Sequence, residues 1–281
     1  MESIDGKKFD GDYYSSMGEM KLTFLGSGTS VGIPAIGCGC PVCLSDDPRD
    51  RRSRCSVWMR APDKTWIIDT GPDLREQCLR AGITTLDAVL ISHAHNDHIM
   101  GFDDLRRFAY ARGGSLPVYA REHTMDALSR IFHYAFDPTK ITPGYLHAEP
   151  HIIHEPFQLG KTRVTPVPVL HGNVPTIGFR FDYPGGPALF YASDVKEIPA
   201  ESMALLHGLD AIIIDGLRFR EHPTHMNVAE ATAVSEALGS PPTWLTHLAC
   251  DVAHARDSQR LAPHVQFAYD SLELTFPCTD F

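Results

Sequence analysis

The feature that most constrains this chain is a cluster of metal-ligating side chains directly behind an apolar segment. Ala88–Ser92 has the composition of a short buried strand, and the letters HAHNDH follow it. Residues two apart share a face in an extended chain, so His93 and His95 can bind one metal ion from the same side. Asp97 and His98 come after a turn and can face a second ion nearby. The alternative is a surface loop with unrelated polar residues. Three His and one Asp within six residues are improbable by chance, so we interpret the cluster as a metal site.

Short apolar segments bounded by Gly, Pro or Asp recur along the chain and predict strands. The predicted strands are Lys21–Leu25, Ser56–Arg60, Trp66–Asp69, Ala88–Ser92, Pro117–Ala120, Arg163–Leu170, Thr176–Asp182, Ala188–Ala192, Ala211–Asp215, Thr243–Thr246 and Val265–Tyr269. Helical periodicity predicts fewer elements. The predicted helices are Pro72–Ala81, Asp103–Ala111, Glu122–Tyr134, Pro199–His207 and Asn227–Leu238, the last with a capping box between Asn227 and Glu230.

Because predicted strands often follow one another without an intervening helix, two mixed sheets flanked by helices fit better than one doubly wound parallel sheet. We therefore predict the α/β class. Residues 1–19 are expected to form a flexible leader, and residues 20–281 a single domain.

The composition excludes several classes of protein. A chain with 43% hydrophobic and 21% charged residues can bury a core and is not of the disordered type. No apolar run is long enough to span a bilayer, and the polar N-terminus has no apolar segment typical of a secretory signal. We therefore expect a cytoplasmic protein whose seven Cys are ligands or thiols rather than disulfides. The net charge of −10 disfavours a nucleic-acid partner, and we interpret the one basic run, residues 49–54, as a solvated loop.

A second cluster consists of cysteines. Cys38, Cys40 and Cys43 stand within six residues, with a glycine and a proline that permit a tight turn, and this pattern indicates a structural zinc. A closed site needs a fourth ligand, and Cys250, three residues after His247, is the best candidate. The spacing of Cys40 and Cys43 also occurs in redox motifs, but the helix of a thioredoxin-like unit is missing, so zinc is preferred. Buried apolar positions are expected for the isolated thiols of Cys55, Cys78 and Cys278.

The motif HxHxDH behind an apolar strand resembles the metallo-β-lactamase superfamily. Its αββα sandwich, two sheets face to face with helices outside, agrees with the two mixed sheets predicted above. The resemblance implies three further ligands at strand ends, namely His171, Asp194 and His247. It assigns one ion to His93, His95 and His171, and the other to Asp97, His98 and His247, with Asp194 bridging both.

Asp69, in the segment IIDTG, resembles the superfamily's aspartate that supports a ligand histidine. Histidines bound to a metal usually donate their other ring N–H to a carboxylate, which fixes the tautomer. The alternative is a turn aspartate before Gly71.

Further features resemble the phosphonate-pathway cyclic phosphodiesterase branch of the superfamily. They are LGSGTSVGIP at residues 25–34, the cysteine cluster and DPRDRRSR at residues 47–54. That branch opens phosphoribosyl 1,2-cyclic phosphate and cleaves other phosphodiesters. Its fourth structural-zinc ligand is a His where this chain has Cys250. A thiolate is also a good zinc ligand, so the zinc site should survive, but the departure weakens the assignment to that one enzyme.

The resemblance implies a two-metal hydrolase that cleaves small or cyclic phosphodiesters by attack of a metal-bound hydroxide. The leaving alkoxide needs a proton, and His225 matches the family's catalytic histidine, whereas we interpret His222 as its neighbour. The alternative is that both are exposed loop histidines. The catalytic residues predicted are His225, Asp97 and Asp194. The cofactors predicted are two divalent ions, Mn or Zn, at the active site and one structural Zn.

Other functions remain open. The same fold can hydrolyse a thioester, a lactam or an RNA phosphodiester, and a non-catalytic, zinc-stabilised binding module is a further alternative. The acidic net charge argues against RNA, the occupied positions Asp97 and Asp194 favour phosphoester chemistry, and no implied ligand is lost. The letters GxSxG at residues 28–32 are not followed by a helix and are interpreted as coincidence. Two roles stay open for Arg106 and Arg107, namely contact with a phosphate group of the substrate or an ion pair within the protein. As partners we expect a small-molecule phosphodiester and no membrane, and we consider a homodimer.

Overall fold

Two seven-stranded sheets pack face to face in the computed structural model, which describes residues 18–137, 139 and 144–279. The first sheet contains Glu19–Gly26 (β1), Ser56–Arg60 (β2), Thr65–Ile68 (β3), Ala88–Leu90 (β4), Leu116–Ala120 (β5), Ala148–Ile152 (β6) and Glu273–Pro277 (β14). The second sheet contains Phe157–Leu159 (β7), Thr162–His171 (β8), Val174–Asp182 (β9), Ala188–Ala192 (β10), Ala211–Asp215 (β11), Thr243–Thr246 (β12) and Val265–Phe267 (β13).

Each sheet is antiparallel on one side and parallel on the other. The first has the order β14-β1-β2-β3-β4-β5-β6, and its parallel pairing begins between β3 and β4. The second has the order β13-β12-β11-β10-β9-β8-β7, and its parallel pairing begins between β10 and β11. Parallel strands end at the same edge of a sheet, so the segments that leave them can converge on one site.

The central strands are buried on both faces because alternate side chains enter different cores. In β4, Leu90 enters the core between the sheets, whereas Val89 enters the outer core of the first sheet. In β11, Ile213 enters the core between the sheets, and Ile212 enters the outer core of the second sheet. This alternation explains why both strands are continuous apolar runs in the sequence.

Helices cover the outer face of each sheet. They are Leu74–Ala81 (α1), Asn96–Ile99 (α2), Arg106–Ala111 (α3), Glu122–Ile131 (α4), Ala200–Met203 (α5), Val228–Ala237 (α6) and His254–Asp257 (α7). Leu74 of α1 and Leu128 of α4 pack on the first sheet, and Ala231 of α6 packs on the second. The predicted two-sheet sandwich flanked by helices is therefore confirmed. None of the described helices is long and apolar enough to cross a bilayer.

The helix predictions differ from the structure mainly at their ends. The capping box is present, since Asn227 Oδ1 accepts from the Glu230 N–H and Glu230 Oε2 accepts from the Asn227 N–H. The helix predicted over Asp103–Ala111 is instead a 3₁₀ turn, Phe102–Leu105, followed by α3. The helix predicted over Pro199–His207 is α5 followed by another 3₁₀ turn. Short 3₁₀ turns are common at both ends of α-helices.

The strands missed by sequence patterning, β6, β7 and β14, all lie at sheet edges. Edge strands are half exposed, so they carry polar residues and tolerate proline, as Pro150 in β6 illustrates. Most of the predicted leader, residues 1–17, lies outside the described residues, and β1 begins at Glu19. The division into a leader and a single domain stays a prediction.

Candidate metal centre

The predicted ligands converge at one edge of the sandwich because most of them follow or end a strand, while Asp97 and His98 lie in the short helix α2. His93 follows β4, His171 ends β8, Asp194 follows β10 and His247 follows β12. Rigid strand ends hold side chains in fixed positions better than long loops do. The seven predicted ligands fall into two groups of neighbouring donor atoms, and these are His93, His95 and His171, and Asp97, His98, Asp194 and His247.

The first group consists of three imidazoles. His93 Nε2 and His95 Nδ1 lie 2.9 Å apart, as two nitrogens bound to the same ion would, given metal–nitrogen distances of about 2.0–2.1 Å. His171 Nδ1 donates to the Thr224 carbonyl at 2.8 Å, which leaves Nε2 free to bind an ion. The group therefore fits the predicted first ion.

The second group combines imidazoles and carboxylates. His98 Nε2 lies 3.2 Å from Asp97 Oδ2, and His247 Nε2 lies 3.8 Å from the same oxygen. Buried polar atoms normally have a hydrogen-bond partner. His98 Nε2, His247 Nε2 and Asp194 Oδ2 are buried and have none, although they lie close together. Potential ligand atoms that converge without hydrogen bonding to one another are placed to bind the same cation.

Asp194 lies between the two groups. Its Oδ2 is 3.2 Å from His98 Nε2, and its Oδ1 is 3.2 Å from His247 Nε2 and 4.0 Å from His171 Nε2. Burial opposes ionisation, but the charges of His247 and His98 hold the pKa of Asp194 well below its usual range. Asp194 is therefore a carboxylate in the position of a bridging ligand.

Asp69 contacts a histidine of the second group and holds its ring in place. Its Oδ2 lies 2.8 Å from His98 Nδ1, and its two oxygens accept from the Ser92 N–H and hydroxyl. The side chain is fully buried, and the backbone has a φ of 63°, in the left-handed region. These contacts fix the His98 tautomer so that Nε2 faces the predicted ion, which is the role expected for Asp69.

His225 lies beside both groups and has a partner that the sequence analysis missed. Its ring centroid is 4.6 Å from that of His171 and 4.7 Å from that of His247. Its Nδ1 lies 2.6 Å from Oδ2 of the fully buried Asp215, which also accepts from the N–H groups of Val195 and Leu217. Burial lowers the pKa of His225 to about 4. His225 is therefore not an exposed loop histidine.

A sequence signal for Asp215 did exist. Asp215 ends the apolar strand Ala211–Asp215 and precedes a glycine, much as Asp69 ends an apolar run shortly before Gly71. Both aspartates are buried and both orient a histidine of the site. The pattern of an apolar strand ending in aspartate could have identified the second as well as the first.

The four predicted zinc thiols lie together at a second location. The sulfurs of Cys38, Cys40, Cys43 and Cys250 all lie within 4.8 Å of one another. The Cys43 N–H donates to Cys40 Sγ at 3.4 Å, and this hydrogen bond is the main reason why the pKa of Cys40 falls to about 7. The Ala35 N–H donates to Cys43 Sγ at 3.3 Å. Hydrogen bonds to sulfur favour thiolates, which are the form that binds zinc. Burial nevertheless raises the pKa of Cys43 and raises that of Cys250 to about 12, so four thiolates at this position would need a bound cation.

The basic run at residues 49–54 is only in part the solvated loop expected from its charge, since Arg49 and Arg51 are exposed but Arg52 is not. The Arg52 side chain is fully buried, and its Nη2 contacts Asp50 Oδ1 and the Val252 carbonyl, each at 2.9 Å. Its Nη1 donates to the Ala249 carbonyl at 3.3 Å. Arg52 thus ties the segment after the cysteine cluster to the residues that flank Cys250.

Other sequence candidates lie as follows. Arg106 pairs with Asp103 at 2.7 Å, which supports the ion-pair alternative for that residue. Residues 28–32 lead into an isolated β-bridge at Ile33 and not into a helix, so they do not form a serine-hydrolase elbow. The thiols of Cys55 and Cys78 are buried as expected, whereas Cys278 is only partly buried.

Comparisons with known proteins identify a matching family model and several similar proteins. The sequence model of the beta-lactamase superfamily domain matches residues 65–248. A solved structure of a new diphosphatase from the PhnP family is 40% identical, with a TM-score of 0.84, over 93% of this chain and 99% of that one. The zinc-bound PqqB structure from Methylobacterium extorquens is 20% identical, with a TM-score of 0.70, over 90% of this chain and 99% of that one, and shows a shared fold.

An octanoyltransferase of Porphyromonas gingivalis is 37% identical over 90% of this chain. The chain spans only 51% of that relative's length. The name of that relative describes the whole longer protein, so it does not define what the matching half does.

Proposed function

Because the chain belongs to the metallo-β-lactamase superfamily and resembles its PhnP branch, we propose that it is a two-metal hydrolase of phosphodiester and diphosphate bonds. The single observation that carries this proposal is the convergence of seven ligand side chains on two adjacent groups, with Asp194 between them. Two ions about 3.5–4 Å apart are typical of enzymes that hydrolyse phosphate esters.

The residues present fit two divalent cations. Three imidazoles form one group, and two imidazoles with two carboxylates form the other. Nitrogen and oxygen donors of this kind suit Mn, Zn or Fe. When bound, such ions activate a water molecule near neutral pH and neutralise charge on the phosphate oxygens.

The chain's own residues prepare the site for an anionic substrate. Asp69 and the Thr224 carbonyl orient His98 and His171, so each histidine presents a defined nitrogen. Strand ends and the short helix α2 hold the ligands, so little reorganisation is needed when charge develops in the transition state.

We assign the proton donor for the leaving group to His225. Asp215 accepts the Nδ1 hydrogen of His225, so Nε2 is the atom that exchanges a proton. Because burial lowers the pKa of His225, Nε2 is unprotonated in the free site, and it must take up a proton beside the anionic phosphate before it donates to the leaving oxygen. Its ring lies beside His171 and His247, close enough to the ligand groups for a leaving oxygen to meet Nε2. Asp215 is a positioning residue that holds the ring in this orientation, as buried carboxylates do behind catalytic histidines.

For the cysteine cluster we propose a structural zinc bound by four thiolates. The closeness of the four sulfurs and the hydrogen bonds to Cys40 and Cys43 suit a site in which the protein supplies all four ligands. Gly28 forms β-bridges with both Arg54 and Leu248, so the loop that carries these cysteines begins next to His247. The zinc would therefore stabilise one wall of the metal centre.

The phosphodiesterase reading is favoured over lactam or thioester hydrolysis by the likeness to the PhnP-family diphosphatase across nearly the whole chain. It is tested by assaying metal-loaded protein, with Mn²⁺ or Zn²⁺ and with chelator, on bis(p-nitrophenyl) phosphate, a cyclic phosphodiester, a dinucleoside diphosphate, a thioester and a lactam. We expect metal-dependent turnover of the phosphate compounds. Turnover of the thioester or lactam alone would overturn the proposal.

A matched pair of variants links the activity to the site. Asp194→Asn removes a charge between the ligand groups, whereas Asp182→Asn removes an aspartate that pairs with Arg180 elsewhere on the second sheet. Only the first variant should lose metal-dependent turnover.

A further inference from the structure

A cationic side chain without an acidic partner lies on the loop between Asp215 and His225, close to His222. Arg218, three residues after Asp215, donates from Nη2 to the Glu221 carbonyl at 2.9 Å and from Nε to the Arg220 carbonyl at 3.4 Å. Among the described residues, Arg218 takes part in none of the ion pairs, whereas Arg220 pairs with Asp251 at 3.0 Å. Two backbone carbonyls fix the guanidinium of Arg218 without neutralising its charge.

His222 adds a hydrogen-bond donor next to this cation. Its Nδ1 accepts from the Thr224 N–H at 3.3 Å, so its proton resides on Nε2. The His222 ring centroid is 5.0 Å from that of His225. The side chain is only partly buried, so its Nε2–H is available to a ligand. Arg218 lies close by, because its guanidinium contacts the carbonyl of the preceding residue, Glu221.

The position of His222 relative to the metal ligands is fixed by one residue. Thr224 donates its N–H to His222 Nδ1 and accepts, through its carbonyl, from Nδ1 of the predicted ligand His171. A Cβ at Gly172 would lie 2.9 Å from Thr224 Cγ2, so a glycine there leaves room for this contact. Thr224 therefore fixes the position of the His222 ring, and with it the Nε2–H, relative to the predicted ligand His171.

We propose that Arg218 and His222 form a subsite for a second phosphate group, so that the substrates are compounds with two linked phosphates, such as nucleotide diphosphate esters. This inference rests on the proposed phosphate hydrolysis. A simple phosphodiester carries one negative charge, whereas a diphosphate diester carries two. A fixed guanidinium and an N–H donor beside the metal centre select for the additional charge.

The subsite has a defined role in the reaction. Water adds its oxygen to the phosphorus at the metal centre, and the bond from that phosphorus to the bridging oxygen breaks. The bridging oxygen leaves with the bonding electron pair as part of the second phosphate, and the proton from water is released or passed to that product. Charge therefore grows on the group that contacts Arg218 and His222, where it is stabilised.

Kinetics with two substrates test the subsite. Arg218→Ala and His222→Ala are compared with wild type on bis(p-nitrophenyl) phosphate, which has one phosphate, and on diadenosine diphosphate, which has two. Since hydrogen bonds to charged groups have a large effect on affinity, we expect each variant to lose about 10- to 100-fold more kcat/KM on the diphosphate than on the single phosphate, mainly through KM. Arg218→Lys should recover part of this loss.

Arg220→Ala is the matched control, because Arg220 lies on the same loop but is already paired with Asp251. It should leave both substrates unaffected. Equal losses on both substrates in Arg218→Ala and His222→Ala, or no loss on either, would overturn the subsite.

Binding provides a readout that does not need turnover. Calorimetry on metal-loaded protein compares methylenediphosphonate with phosphate. Wild type should bind the diphosphonate at least about 10-fold more tightly, and Arg218→Ala should remove most of this preference. Preferential binding without hydrolysis of any substrate would overturn the proposed function alone, whereas equal affinities in wild type would overturn the subsite.

Discussion

Asp215 Oδ2 lies 2.6 Å from His225 Nδ1, and both residues belong to the second half of the chain. The pair has a counterpart in the first half, where Asp69 Oδ2 lies 2.8 Å from His98 Nδ1. In each case a buried aspartate at the end of a strand fixes a histidine tautomer. One histidine is a predicted ligand and the other lies beside the ligands, so the same local device serves two different roles.

The role of His225 leads to a prediction about leaving groups. General acid catalysis contributes typically 10²–10⁴-fold, and a p-nitrophenolate leaving group needs it least because it is already stable. We expect His225→Gln to lower kcat by about 10²- to 10³-fold on a nucleoside phosphodiester, but by less than about 10-fold on bis(p-nitrophenyl) phosphate. Asp215→Asn should show the same pattern with a smaller loss. Equal losses on both substrates would contradict the assignment of the proton donor.

The bridging position of Asp194 predicts a coupled loss of metal and activity. Asp194→Ala removes the carboxylate that faces both ligand groups, so we expect lower metal content and no measurable metal-dependent turnover. Elemental analysis of the purified variant and a phosphodiesterase assay check this. Full metal content with retained activity would contradict the bridging role of Asp194.

Asp69 predicts a change in metal affinity without loss of a ligand. Replacing partners behind ligand histidines typically weakens metal binding by 10- to 100-fold. Asparagine tolerates the left-handed backbone of residue 69, so Asp69→Asn should fold. We expect its activity to need about 10- to 100-fold more free metal ion, as measured by titrating the apoprotein. An unchanged titration would mean that Asp69 is only a turn residue.

The assignment of Cys250 as the fourth zinc ligand predicts that substitutions at this position remove or restore the zinc. Cys250→Ser should lower the zinc content by one ion and reduce thermal stability, because the remaining three thiolates leave the site open. Cys250→His should restore the ion, since imidazole also binds zinc. Cys278→Ser, at a thiol distant from the cluster, is the control. Unchanged zinc content in Cys250→Ser would contradict the four-thiolate site.

Arg52 predicts a large effect on stability away from the ligands. Removing one partner of a buried ion pair typically costs 3–5 kcal/mol, because the other charge stays buried. We expect Arg52→Ala to lower the free energy of unfolding by about 3–5 kcal/mol in urea denaturation. Arg49→Ala breaks the exposed pair with Asp47 and should cost less than about 1 kcal/mol. Similar values for both variants would contradict the structural role of Arg52.

The central strands and the convergence of the candidate ligands could both be predicted from the sequence because their patterns have one cause. Buried parallel strands are apolar runs, and the residues that follow them carry the chemistry, so HAHNDH behind Ala88–Leu90 identifies both. Edge strands such as Ala148–Ile152 escaped detection because exposure relaxes the apolar pattern.

Contacts between distant segments were harder to predict. The sequence pattern predicts a solvated charge at Arg52, because its partners, the carbonyls of Ala249 and Val252, lie about 200 residues away in the chain. Backbone acceptors leave no trace in a sequence pattern. Arg218 and His222 were not recognised as a pair for the same reason, since what joins them is the Glu221 carbonyl and Thr224.

The division of ligands between the two sheets has a consequence for how the protein matures. His93, His95, Asp97 and His98 follow a strand of the first sheet, and His171, Asp194 and His247 end or follow strands of the second. During synthesis, neither ligand group is complete until the second sheet has formed and docked on the first. We therefore expect metal uptake at this candidate centre to be a late event in biogenesis, and retention of ions there to report that the two sheets have docked.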